Sequence, residues 1–480
     1  MLISIIIILF CFIGVIILIL TEKLNRAFAA LAGAVITYFV LIYLEGLDFS
    51  IIVELLFGNK EEGYINLHSL ILIMAMMIIV QISTEAGLFQ AIAVQLIKMT
   101  RGEPIKLMIV ICSVTIFISA ILNNILTVII LIPLLVTISR ILNIDPSPYI
   151  LTQAVLVNIG GTLFSISSIP NILITTSTGI LFSEFFLNVG IIALITFSLT
   201  VPFFIFLYKK ELAPPENSSV LEEFDVWNLI QNKRLLFECW IALILLIIMF
   251  MIIPASVLSP DIIALSIAII LTVLSKLDPK TLITKIDLEL ILYLLGIFVI
   301  AGAFEIVGIT DFLGMFILNV AGENLFSQIL ILLWASAFLS SSIDNIPITK
   351  VLIPVARSMT THNIFGNDLD LYYSLAIGAN WGDNLTPLGD NILVINLAEQ
   401  NKRPISFRQF FKLGFCTTIF QLSIVSLIFI LRFYLILGIM IIIIVIVSLL
   451  LLYLLSTYGS DKIKKSLSKY INSIRNKIIK

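Results

Sequence analysis

Charge is what this chain lacks most. Asp, Glu, Lys and Arg make up 12% of its 480 residues, hydrophobic residues make up 60%, and the mean hydropathy is +1.16. Soluble domains carry about a quarter charged residues, so an ordinary soluble domain is excluded. Histidine is equally scarce: His68 and His362 alone cannot build a histidine-based transition-metal site. Cys11, Cys112, Cys239 and Cys416 stand far apart in or beside apolar runs and form no CxxC pair. Neither a disulfide framework nor a metal cluster is therefore expected. No GxxxxGK[ST] signature occurs, so energy for any uphill work comes from an ion gradient or from a separate ATPase subunit.

What the chain has is apolar length. Runs long enough to span a bilayer recur from end to end, for example 2–20, 27–44, 237–253, 414–431 and 434–455. They are continuously apolar, without the alternation over ~10 residues that barrel strands need. The expected fold is an all-α polytopic membrane protein of about 11–12 transmembrane helices. The first run lacks a basic stretch before it and an A-x-A-like exit, so it reads as a retained helix rather than a cleaved signal.

Lysine and arginine set the expected orientation. With the N-terminus outside, nearly all of the 28 cations fall on one face, including Lys23, Arg26, Lys98, Arg140, Lys276, Lys285 and the tail after 455. The positive-inside rule makes that face cytoplasmic, with the acidic loop 45–62 outside and the C-terminus inside. This parity requires two stretches, around 105–138 and 326–358, to enter and leave by the same face as re-entrant hairpins, or else to cross twice as helix pairs. The basic tail 462–480 fixes orientation, or lies as an amphipathic helix on anionic lipid.

A repeat divides the chain. "SAILNNILTVIILIP" (119–133) aligns without gaps on "SSSIDNIPITKVLIP" (340–354), matching Asn124 with Asn345 and Pro133 with Pro354. "NIGGTLFSIS" (158–167) aligns on "NWGDNLTPLG" (380–389), matching Asn158 with Asn380 and Gly160 with Gly382, and Glu85 falls opposite Glu305. The parts are a first half at 1–208, a cytoplasmic linker at 209–234, a second half at 235–431, and an extra helix with its tail at 432–480. The cation count gives the halves opposite orientations. Inverted repeats with interrupted helices are the build of secondary transporters, whose sites form near the midplane.

Backbone that leaves the helix inside a membrane must find partners in protein, ions or a water-lined cavity. Unwound, 160–171 and 382–391 present carbonyls with Thr162, Ser165, Asn384 and Thr386; the hairpin tips add Asn123, Asn124, Asp344 and Asn345. Oxygen clusters of this kind suit a small hard cation, and helix N-termini suit an anion. Structural duties compete with these roles. Asp344 is a candidate cap for the helix after it, Thr386 with Pro387 a candidate N-cap and N1 pair, and Gly160 and Gly161 suit close helix packing. Asp344, Asp383 and Asp390 are carboxylates at membrane depth, which default to function. Lys350 reads as their counter-ion, as a competitor released when a cation binds, or as a contact for an anionic substrate. Glu85 and Glu305 read as structural or gating residues.

These residues resemble a family. The polar core of "NIGGTLFSISSIPNILI" (158–174) is similar to the "GANIGGTATLIGDPPNI" pattern of the arsenite-permease and NhaD-type sodium/proton antiporter group. That group belongs to the ion transporter superfamily, alongside citrate-transporter-like and dicarboxylate carriers. "DNIP" (344–347) is similar to the second hairpin of the NhaD-type and melanosomal P-protein branches. The resemblance covers roughly 24–430 and implies two re-entrant hairpins, two broken helices, elevator-like movement and a scaffold that often dimerises. It implies a first site at Asn123, Asn124, Gly160, Gly161 and Thr162, and a second at Asp344, Asn345, Gly382, Asn384, Thr386 and Pro387. Asn123 stands where many relatives carry Asp, Ser167 and Ser168 replace the usual Gly-Asp, and Asp383 replaces the second Gly of the later pair. The acids have moved towards the second half.

The leading expectation is an ion-coupled secondary transporter for a small inorganic ion, by Na+/H+ antiport or arsenite-type export. Na+ or H+ is the coupling ion, Na+ binds at the same residues, and no cofactor or nucleic acid is expected. Citrate or dicarboxylate carriage ranks lower because no arginine lies in either polar break. A passive channel is the rival of another class. A hydrolase would need Ser340, Ser341 or Ser342 as nucleophile, with no histidine nearby to activate it.

Overall fold

A computed structural model describes residues 2–212 and 230–479, apart from 22, 62, 102, 231, 256, 323, 362–368, 388–390 and 459. Most of the linker, His362 and Asp390 therefore lie outside the described residues. Every regular element among the described residues is a helix. A chain this apolar can satisfy its backbone in lipid only by hydrogen bonding within each segment.

The first half runs α1 (Leu2–Leu20), α2 (Arg26–Tyr43), α3 (Ile51–Phe57), α4 (Ile65–Glu85), α5 (Leu88–Lys98), α6 (Pro104–Ser119), α7 (Asn124–Leu142), α8 (Ser147–Gly160), α9 (Ile169–Thr178) and α10 (Phe182–Tyr208). The second runs α11 (Lys233–Ile252), α12 (Pro260–Ser275), α13 (Pro279–Thr284), α14 (Leu288–Ile306), α15 (Ile309–Ala321), α16 (Leu325–Ser342), α17 (Asn345–Thr361), α18 (Leu369–Gly382), α19 (Asn391–Gln400) and α20 (Phe407–Phe433). Then follow α21 (Leu435–Tyr458) and α22 (Asp461–Ile479). Ten of these are long and apolar enough to cross a membrane, and α5, α6, α12 and α15 are shorter apolar helices. The protein is a multi-pass membrane protein.

Helix ends fall where the sequence offers caps and breakers. Asn25, Asn123, Asn232, Asp287 and Asn324 each accept a backbone N–H at the start of α2, α7, α11, α14 and α16. Ser406 and Gln409 form a capping box on α20. Pro104 and Pro260 open α6 and α12, where a missing N–H costs nothing.

The elements repeat as the sequence blocks do. Helices α8 and α18 are each 14 residues long and end in Asn-x-Gly, at Asn158–Gly160 and Asn380–Gly382. Irregular backbone follows each, then the 10-residue helices α9 and α19. α6 packs on α8, and α16 on α18. In each pair a serine spans the seam: Ser119 Oγ donates to the Val157 carbonyl at 2.5 Å and Ser340 Oγ to the Ala379 carbonyl at 2.6 Å. The seams are this close because glycine lines them. A Cβ on Gly160 would stand 2.7 Å from Ser119 Cβ and 2.8 Å from the Ile116 carbonyl, and one on Gly382 would run into the Ala337 backbone. The halves also exchange partners, α2 packing on α14 and α4 on α12. In α21, by contrast, Gly438 is the buried residue and the rest is half or fully exposed, a surface fit for lipid.

Candidate functional site

The irregular segments of both halves meet in the middle of the molecule through amides. Asn124, the first residue of α7, donates through Nδ2 to Asn158 Oδ1 near the end of α8. Asn158 Nδ2 donates to Asn384 Oδ1 at 2.7 Å, and Asn384 Nδ2 returns to the Val155 carbonyl at 2.9 Å. A second bridge runs the other way: Asn380 Nδ2 donates to Asn171 Oδ1 at 2.9 Å and to the Ala376 carbonyl at 2.7 Å. Asn171 Nδ2 closes onto the carbonyls of Gly161 (2.8 Å) and Phe164 (3.1 Å). Trp381 Nε1 donates to Thr162 Oγ1 at 3.0 Å. All these side chains are buried. The first break's free carbonyls are thus held by its own Asn171, while the two halves are joined through the side-chain amides and the Asn384 bond to the Val155 carbonyl.

Asn380 Oδ1 is buried and has no hydrogen-bond partner among the described residues. Its amide nitrogen is fully used, so the oxygen has lone pairs for a further ligand. Nearby, a cavity of about 30 Å³ is lined by Asn123, Asn124, Ser168 and Asn345, with Arg26 at its edge. A space of ~10–15 Å³ or more holds one water-sized guest. Residues at both expected tips, Asn123 and Asn124 from one half and Asn345 from the other, therefore line one cavity.

Residue by residue, the structure unites Asn124, Asn158 and Asn384 in one chain and Asn380 and Thr162 in its neighbours. Asn123 Oδ1 caps α7 through the Leu126 N–H at 2.8 Å while lining the cavity. Gly160 and Gly382 serve the helix seams, and the Gly161 carbonyl takes bonds from Asn171 and from Ser167 (2.8 Å). Asp383 is buried, and its carbonyl accepts from Asn391 Nδ2 at 2.7 Å. Asp344 Oδ1 accepts from the Ile346 N–H at 3.5 Å, the cap, and its Oδ2 from the Tyr293 hydroxyl at 3.3 Å. The Thr386 hydroxyl donates to the Ser341 carbonyl, tying the second break to α16; the start of the helix after it lies outside the described residues. Pro387 follows it in a bend.

Lys350 Nζ donates to Asn66 Oδ1 at 2.6 Å and lies 4.8 Å above the Phe298 ring. It lines a cavity of about 180 Å³ with Glu54, Glu305 and Arg357. Glu305 pairs with Arg357 at 3.5 Å, and Glu85 with Lys285. Ser340 and Ser341 spend their hydroxyls on the carbonyls of Ala379 and Phe338.

Sequence reasoning missed Asn171 and Trp381 at the centre, Tyr293 beside Asp344, and Arg26 at the small cavity. Arg26 comes from the start of α2, its guanidinium 5.8 Å from the Tyr293 ring centroid and paired with Asp287 (3.3 Å) and Glu289 (3.2 Å). The available signal was that Trp381 lies inside the second aligned block and that Asn171 ends the first polar break.

Paired helix breaks joined at the core, in a helical protein with ten candidate spans among the described residues, are an arrangement that membrane transporters use. Within it, the model of the citrate transporter family matches residues 16–378 and 254–471, and the chain belongs to that family. The chain is 27% identical over 420 residues to a 46 kDa membrane protein of Mycobacterium leprae, covering 87% of this chain and 96% of that protein. It is 26% identical over 431 residues to an uncharacterized transporter of Mycobacterium tuberculosis, covering 89% and 98%. It is also 26% identical over 485 residues to the P protein of Sus scrofa, covering 84% of this chain and 56% of that one.

Proposed function

We propose that the protein is an ion-coupled secondary transporter of the cell membrane whose two halves are inverted repeats. In this reading a small hard cation, Na+ or H+, is exchanged at the asparagine-bridged centre. The observation that carries the reading is the amide chain Asn124–Asn158–Asn384, together with the buried, unbonded Asn380 Oδ1. Neutral amide oxygens replace a cation's water without trapping it behind a fixed counter-charge. Asp344 and Asp383 supply carboxylates beside the second break for a proton or a second ion. The 105–138 and 326–358 stretches act as re-entrant hairpins, with the C-terminus in the cytoplasm.

A second reading is supported by Arg26. It brings a guanidinium to the cavity between the tips, where neither break supplies one. With the family's name, it favours Na+- or H+-coupled carriage of citrate or another carboxylate.

Proteoliposomes with an imposed pH or sodium gradient separate the two. Gradient-dependent movement of Na+ or Li+ without an organic substrate supports cation exchange. Movement of citrate alone supports the second reading and overturns the first. Movement of neither, with arsenite also tested, overturns both.

A further inference from the structure

Among the ion pairs that fasten the halves to each other, two differ in kind. Where α2 and α14 begin, Arg26 pairs with Asp287 and Glu289. Where α4 and α12 begin, His68 Nδ1 meets Asp261 Oδ2 at 2.9 Å. Consecutive spans α2 and α4 run in opposite senses, so the clasps stand at opposite faces of the bundle. The first is permanently charged, and the second contains the one side chain type that ordinarily titrates between pH ~5 and 8.

His68 is also well placed. Its imidazole is 41% exposed, whereas Asp261, on the first turn of α12, is 3% exposed. Both line a cavity of about 200 Å³ whose wall includes Ser165 and Ile166 of the first break and Thr175 and Thr176 of α9. The residue after His68 bonds directly to that wall, Ser69 Oγ to Thr176 Oγ1 at 2.6 Å. Helix α9 carries Asn171, the partner of Asn380.

Few other charges surround the imidazole. Asp261 comes from α12, and α9 carries no charged residue. α3 brings Glu54, and the preceding loop the exposed Lys60 and Glu61. The charges of α11 (Lys233, Arg234, Glu238) sit at its start, those of α13 (Lys280) and α5 (Lys98) beyond the opposite end of α4.

We propose that His68 and Asp261 form a proton-binding site, separate from the asparagine-bridged centre, that controls access to the first break. Protonation turns the hydrogen bond into a charge-assisted pair that holds α4 against α12 as the structure shows them, and loss of the proton loosens the pair and widens the cavity. The pH at this face, the outer one by the lysine and arginine count, then sets how often the cavity opens.

The test needs no transported substrate, so it stands or falls separately from the cation reading above. In full-length protein with Cys11, Cys112, Cys239 and Cys416 replaced by Ala, Thr175→Cys is labelled in proteoliposomes by an impermeant maleimide. The rate is normalised to Lys60→Cys on the same face, which removes the reagent's own pH dependence. Labelling is expected to slow several-fold between pH 8 and 5.5 with His68 present. It should stay slow throughout in His68→Arg, which copies the other clasp, and fast throughout in His68→Gln and Asp261→Asn. Normalised labelling that ignores pH, or the same pH dependence in His68→Gln and Asp261→Asn as in the parent, overturns the proposal. The latter two variants keep the test decisive should His68→Arg fail to fold.

Discussion

Asn158→Ala cuts the amide chain at its middle link. Two buried groups lose partners, Asn124 Nδ2 and Asn384 Oδ1. A buried polar group stranded in this way costs about 1–3 kcal/mol. Asn124 lines the small central cavity, where one water can replace the lost acceptor, whereas Asn384 is fully buried. The expected loss is therefore about 2–4 kcal/mol, or roughly 30- to 700-fold in the folded-to-unfolded ratio. Asn124→Ala strands one group, Asn158 Oδ1, and should lose about 1–3 kcal/mol. Equilibrium unfolding in mixed micelles with a denaturing detergent measures both. The double variant Asn158→Ala/Asn384→Ala decides the interpretation. With no Asn384 oxygen left to strand, its loss must be smaller than the sum of the single losses. Additive losses, or an Asn158→Ala variant within about 0.5 kcal/mol of wild type, would refute the reasoning that the halves are joined here.

Gly382→Ala should separate α16 from α18 and lower the melting temperature by several degrees, since the added carbon meets the Ala337 backbone. Gly14→Ala, with nothing within 4 Å of the added carbon, should leave it unchanged or raise it slightly; equal effects would sink the packing account. Arg432 pairs with the buried Asp370 at 2.9 Å. Arg432→Ala should lose about 1–3 kcal/mol and Arg432→Ala/Asp370→Asn should recover much of it, checked by the same unfolding assay. Removing 435–480 deletes α21, which buries Gly438, and α22, whose Arg475 holds the Leu207 carbonyl and Glu211 at the end of α10. The shortened chain should stay monodisperse in detergent with a melting temperature a few degrees lower, and aggregation would show that the α22 contacts matter more than that.

Element boundaries were legible because polarity is rare here. In a chain with 12% charged residues, the few polar clusters at 119–124, 158–168, 340–345 and 380–386 mark the helix ends, and alignment of the two halves marks them twice. Partnerships were not legible. Asn380 meets Asn171, Lys350 meets Asn66 and Arg26 meets Asp287 across hundreds of residues, and no local pattern encodes such a distance. Thr386 shows the limit most plainly. Thr-Pro reads locally as a helix start, and nothing local shows that the threonine hydroxyl bonds to the Ser341 carbonyl on a neighbouring helix. A buried carbonyl is satisfied there by a residue 45 positions away.

The distribution of bond types also bears on movement. The ion pairs sit towards the helix ends: Arg26 with Asp287 and Glu289, Glu85 with Lys285, and Arg432 with Asp370. The centre is held by amides, hydroxyls and one indole instead. The rim pairs that cross between the halves are half-exposed, so each contributes about 0–1 kcal/mol. A neutral amide bond contributes about 0.5–1.5 kcal/mol net, and a water entering the cavity can replace it. A centre built this way opens and recloses at modest cost. The asparagines are therefore a joint between the halves. A guest that bonds Asn158 and Asn384 in place of each other should loosen the very contact that holds the halves together.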